Sequence, residues 1–87
     1  MLNVLNIKDV KLKVGELVRL LRKNENLSQE QLAEKLGLSR YTITNLESGQ
    51  NATLDTLFKI FQYFDKLEIF TGFIEREINN RNYDSLY

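Results

Sequence analysis

Val10, Val14, Leu17, Val18 and Leu21 fall at i, i+4, i+7, i+8 and i+11, the stripe of an amphipathic helix. Asp9 suits its N-cap. Lys11 and Lys13 alternate with Leu12 and Val14, a pattern that also suits a strand, so the start of this helix is open by a turn. The lead-in "MLNVLNIK" reads as a strand, an extended arm or a frayed end. After the polar "RKNENL", Ser28 with Gln31 three positions later makes a capping box. Leu32, Ala33 and Leu36 give the inner face of a second, short helix that Gly37 ends. Ser39 caps a third, with Ile43 and Leu46 inward, and Gly49 stops it. "GQNAT" is a turn. Thr53 then caps a fourth and most apolar helix, Leu54 to Phe64, which carries Leu57, Phe58, Ile60, Phe61 and Phe64.

Beyond it the pattern is less decisive. Asp65 with Glu68 resembles another cap, and Leu67, Phe70 and Ile74 follow at helical spacing, although Gly72 costs a helix about 1 kcal/mol relative to alanine. A strand through "LEIFTGF" competes, with helix the preferred reading. "NNRNYDSLY" is polar and is expected to fray. The expected fold class is all-α, five helices in one domain over residues 1–87. Its core spans 10–64, with a dimerisation segment at 65–78 and a tail at 79–87. Leu17, Leu21, Leu32, Ile43, Leu46, Leu57, Phe58 and Phe61 are the expected core residues.

Composition narrows the chemistry. The chain has no proline to break a helix, and no cysteine or histidine, which removes disulfides, thiol catalysis and the common zinc ligands. No apolar run is long enough for a membrane span and no signal-peptide pattern opens the chain, so a cytoplasmic protein is expected. The acidic residues are scattered, no serine has a histidine partner and no glycine-rich phosphate loop is present. The expectation is therefore no enzyme, no cofactor and no metal. Net charge is zero. Lysine and arginine outnumber acids before residue 50 and are outnumbered after it, so any nucleic-acid contact must come from a local face.

Two short helices joined through Gly37-Leu38-Ser39 bury little alone. Small Ala33 permits close approach, and Leu38 and Ile43 plug the corner. This suits a helix-turn-helix, in which the first helix lies over the DNA backbone and the second enters the major groove. An αα-hairpin without DNA contact fits the periodicity as well. The outer polar residues of the third helix, Arg40, Tyr41, Thr44 and Asn45, are the candidate reading surface. Arginine can hold guanine O6 and N7, and asparagine adenine N6 and N7.

With Leu27, Ser28, Gln29, Leu32, Ala33, Gly37, Ser39, Ile43, Leu46, Glu47 and Gly49 in their places, the chain resembles the phage-repressor (Cro-like, XRE) helix-turn-helix family over residues 10–64. "NATLDTLFKIFQYF" is similar to the fourth helix of HipB-type antitoxins. The resemblance implies a DNA-binding regulator, with Arg40, Tyr41, Thr44 and Asn45 at base-reading positions. It implies a phosphate contact for Gln29, beside the helix N-terminal amides. Lys23, Ser39, Thr42, Gln50 and Asn51 are further phosphate candidates. In the family a lysine or arginine often stands where Gln50 and Asn51 are. The resemblance also implies that Glu47 pairs with Arg22 of the first helix.

All five phenylalanines lie between Phe58 and Phe73, more aromatic surface than one helix can cover. A homodimer through Phe64, Phe70 and Phe73 is expected, reading a pseudo-palindromic operator as a repressor. An antitoxin that neutralises a partner toxin and regulates its own operon is the alternative.

Overall fold

The computed structural model describes residues 5–80. Every regular element among them is a helix: α1 Ile7–Asn24, α2 Gln29–Leu36, α3 Arg40–Glu47, α4 Leu54–Tyr63 and α5 Glu68–Asn80. The all-α reading and the order of the five helices hold.

The starts of the first four helices follow a single rule: an extended residue whose side-chain oxygen accepts the amide three positions on. Ser28, Ser39 and Thr53 do this for α2, α3 and α4, and Ser28 and Gln31 close a full capping box. At α1 the cap is Asn6 and not Asp9. Asn6 Oδ1 accepts the Asp9 amide at 2.9 Å, and Asp9 becomes an acid of the first turn, favoured there by the helix dipole. Lys11, Leu12 and Lys13 are accordingly helical. Residues 1–4 of the lead-in lie outside the described residues.

The ends also share a rule. Asn26, Gly37, Gly49 and Asp65 have φ of 59°, 68°, 82° and 60°, all left-handed, so the next amide bonds back into the helix. Leu38 donates to the Ala33 carbonyl, Gln50 to Asn45 and Lys66 to Phe61, each at 2.8 Å. Asp65 is thus the stop of α4 and not the cap of α5. Asparagine and aspartate tolerate this conformation better than other residues with a Cβ, which is why two of the four ends dispense with glycine.

Val18, Leu32, Ala33, Ile43, Leu46, Ile60, Phe61 and Phe64 form one buried cluster. Leu17, Leu21 and Leu57, expected within the core, pack half-buried against it. Val10, the first residue of the sequence stripe, is exposed. Phe58 is half-buried and sets its ring against that of Phe70 at 5.2 Å. The segment from Glu68 onward is helix, as preferred over strand, and it continues to Asn80. Residues 81–87 of the expected tail lie outside the described residues. None of the described residues of α5 is fully buried; it docks through Ile69 and Phe70.

Candidate nucleic-acid interface

α2 and α3 meet over Leu32, Ala33, Ile43 and Leu46, with Leu38 packing half-buried at the turn between them. α1 crosses the end of α3 so closely that a Cβ at Gly15 would lie 2.5 Å from the Glu47 carbonyl oxygen and 2.6 Å from that of Leu46. Only glycine fits there without main-chain movement. Next to this crossing, Arg22 grips Glu47 with two parallel bonds, Nε to Oε2 at 2.6 Å and Nη2 to Oε1 at 2.9 Å. Its remaining Nη1 donates to the Leu27 carbonyl at 2.8 Å. The two side chains are 9% and 4% exposed, so this is a buried, fork-shaped pair. The Glu47 hydrogen bonds outweigh desolvation and hold the Arg22 pKa above its ordinary value, and the Glu47 charge adds to them.

The network continues outward. Gln29 Nε2 donates to Glu47 Oε1 at 3.0 Å, and Gln29 Oε1 accepts the Thr44 hydroxyl at 2.8 Å. One chain of bonds therefore runs from α1 through α3 to the first residue of α2 and back to the outer face of α3. Gln29 keeps one amide hydrogen for a ligand, and Thr44 keeps its methyl group and hydroxyl lone pairs.

The outer face of α3 is open. Tyr41 is 74% exposed, Arg40 is exposed, and Asn45 is half-buried. Arg40 also borders a shallow depression with Arg22, Ser28, Gln29 and Glu30, at the start of α2. Ser39 caps α3 by accepting the Thr42 amide, and the Ser39 and Thr42 hydroxyls hydrogen-bond each other at 2.9 Å, which uses one of their two hydrogens. Lys23 is exposed in the last turn of α1. Gln50 and Asn51 are exposed in the loop after α3, and Asn51 Oδ1 accepts from Lys11 Nζ.

The three expected interface phenylalanines separate. Phe64 is 7% exposed and belongs to the chain's own core. Phe70 is half-buried, with its ring edge-on to Phe61 at 4.8 Å and to Phe58 at 5.2 Å. Phe73 is 62% exposed, beside exposed Ile74 and Ile78, with the Arg76 guanidinium 5.4 Å from its ring centre. Residues three apart share a side of a helix, so spacing does not make this split; α5 docks only through its first turn, at Ile69 and Phe70, and every residue from Thr71 to Asn80 is exposed.

Sequence reasoning missed Gly15 and left Lys11 unused. Gly15 had a readable signal, a glycine within a strong apolar stripe, where it costs about 1 kcal/mol of helix propensity unless something approaches closely. The Gln29–Thr44 bond had none, since the two lie on different helices.

Residues 18–69 match the model of the helix-turn-helix family. The chain belongs to that family. An HTH-type transcriptional regulator of Methanocaldococcus jannaschii, itself uncharacterized, is 50% identical over 40 residues, 45% of this chain and 61% of the relative. Antitoxin HipB of Escherichia coli is 38% identical over 50 residues, 56% of this chain and 57% of that protein. A provisionally named HTH-type transcriptional regulatory protein of Methanocella arvoryzae is 45% identical over 51 residues, which is 59% of this chain and 16% of the relative. The chain thus spans only part of each of these relatives. No described helix of this helix-turn-helix chain is long and apolar enough to cross a membrane.

Proposed function

We propose that this chain is a sequence-specific DNA-binding transcriptional regulator, a repressor that reads a pseudo-palindromic operator as a homodimer. The observation that carries the reading is the open outer face of α3, with exposed Arg40, Tyr41 and Thr44 and half-buried Asn45, on a helix tied to α1 and α2 by the Arg22–Glu47–Gln29–Thr44 network. Arg40 and Asn45 have the donor and acceptor sets that distinguish guanine and adenine in the major groove, and Tyr41 can meet thymine methyls. Thr44 contributes through its methyl and lone pairs. Gln29 directs its free amide hydrogen, together with the α2 amides, at a backbone phosphate. Gln50 and Lys23 flank that face as further phosphate donors, with the one hydroxyl hydrogen that the Ser39–Thr42 bond leaves free. The work is recognition, not catalysis.

One recognition helix covers few base pairs, so a two-fold dimer placing two of them about 34 Å apart supplies the specificity. Of the expected phenylalanines Phe73 alone, with Ile74 and Ile78 beside it, offers apolar surface for pairing, because Phe64 and Phe70 are engaged within the chain. Selection of bound duplexes from a random pool tests the reading. A recovered consensus with two related half-sites is the expected result. Recovery of no sequence above background overturns it.

The similarity to antitoxin HipB supports a second reading, in which the chain also neutralises a toxin and represses its own operon. Co-expression with the product of the adjacent gene is the test. That product arrests growth alone and not with this chain if the second reading holds; a harmless product removes it.

A further inference from the structure

The loop from Ser48 to Thr53 flanks the recognition helix, yet it contains no lysine or arginine. A cation reaches it from elsewhere in the chain. Three contacts along the start of α1 fix that helix against the end of α3. Gly15 lies on the Leu46 and Glu47 carbonyls. Leu12 packs on Gly49, where a Cβ would come 2.7 Å from Leu12 Cδ2. Lys11, half-buried, then donates its ammonium to Asn51 Oδ1. Lys11 also walls a groove of about 210 Å³ with Val10, Val14, Leu46, Gln50 and Thr53, so its methylenes have an apolar surface to lie along.

We propose that Lys11 and Asn51 together form a phosphate clamp on the DNA backbone, in which α1 supplies the charge that the loop lacks. The proposal rests on the DNA-binding reading above. A lysine ammonium has three donors, and Asn51 takes one, leaving two for an anion. Because the Asn51 carbonyl oxygen is occupied by Lys11, its amide group presents two further donors. The side-chain bond holds the ammonium beside the loop before DNA arrives, which lowers the ordering cost of the contact. Lys13, two residues on, is on a different side of α1, around a depression with Leu5, Asp9, Leu12 and Glu16. It therefore provides a control with the same charge.

Binding of the full chain to its selected duplex and to a scrambled one, measured from about 50 to 300 mM salt, tests the clamp, since each lost phosphate contact removes about 0.9 from the slope of log K against log salt. Lys11→Gln should weaken both duplexes alike, about five- to tenfold at 0.1 M salt, and flatten the slope by about one. Lys11→Arg should restore most of the loss, and Asn51→Ala should weaken both duplexes less than Lys11→Gln does. Lys13→Gln should leave the slope unchanged. Thermal melts of each variant establish that it is folded. If Lys13→Gln matches Lys11→Gln, the effect is bulk charge and the clamp is overturned. A Lys11→Gln slope equal to wild type also overturns it, with the DNA-binding reading intact. A wild type that binds no duplex at all overturns that reading and the clamp with it.

Discussion

Where α1 crosses α3, Gly15 meets two main-chain carbonyls, and a buried guanidinium has every bond to its carboxylate in place. In α5 none of the described residues is fully buried, and Phe73, Ile74 and Ile78 face outward. The first region is fully packed within one chain, and the second leaves large apolar side chains uncovered. A surface that must meet DNA in a fixed register gains from rigid support, because a loose helix would lose the alignment of bidentate contacts. A helix that leaves large apolar side chains in water is stable in that state only at a cost, which a second copy of the same face would remove. The comparison thus separates a part of the molecule that is pre-organised from a part that keeps apolar surface exposed.

The largest expected effect tests the completeness of the crossing. Glu47→Ala strands the Arg22 charge in the interior and should cost about 3–5 kcal/mol by urea denaturation. Replacing both partners, Arg22→Met with Glu47→Leu, should recover much of that loss, because the desolvation cost disappears with the charges. A double variant no better than Glu47→Ala would mean that the pair adds more than mutual neutralisation.

Gly15→Ala comes next. Alanine gains about 1 kcal/mol of helix propensity, yet its Cβ overlaps backbone that cannot yield without separating α1 from α3. A net destabilisation of about 1–3 kcal/mol is expected in thermal or urea melts. A more stable variant would show that the crossing is looser than described.

The contrast within α5 is sharper still, because it turns on two phenylalanines three residues apart. Phe70→Ala removes a ring packed on Phe58 and Phe61 and should cost roughly 2 kcal/mol of monomer stability. If the chain pairs through α5 as proposed, Phe73→Glu with Ile74→Glu should leave the monomer's stability within about 0.5 kcal/mol and abolish pairing in light scattering. A double variant that remains dimeric would place the pairing surface elsewhere.

On DNA the expected effect is selective, not large. Arg40→Ala should cost about 1–3 kcal/mol on the selected site and little on random sequence. Gln29→Ala should weaken both about equally. Equal losses on both duplexes for Arg40→Ala would remove it from base reading.

Much of this was legible in advance, because caps, apolar stripes and helix stops act over three to five residues. Ser28 with Gln31, Ser39 and Thr53 opened the helices where their side chains allow, and Gly37 and Gly49 closed them. The spacing of eleven residues from Leu27 to Gly49 was enough to indicate the family. The errors fell where two local residues could do the same task. Asn6 displaced Asp9 as a cap, and Asp65 took a left-handed stop, a conformation open to it as well as to glycine. Tertiary structure alone decided which phenylalanines face the core, since Phe64, Phe70 and Phe73 are alike in sequence and differ only in what lies opposite them. It also decided that Gln29 is tied to Thr44 and Lys11 to Asn51, forty positions apart. Neither pairing leaves a mark in a single sequence. A hydrogen bond between helices depends on how their axes cross, and the side chains packed between them set that crossing.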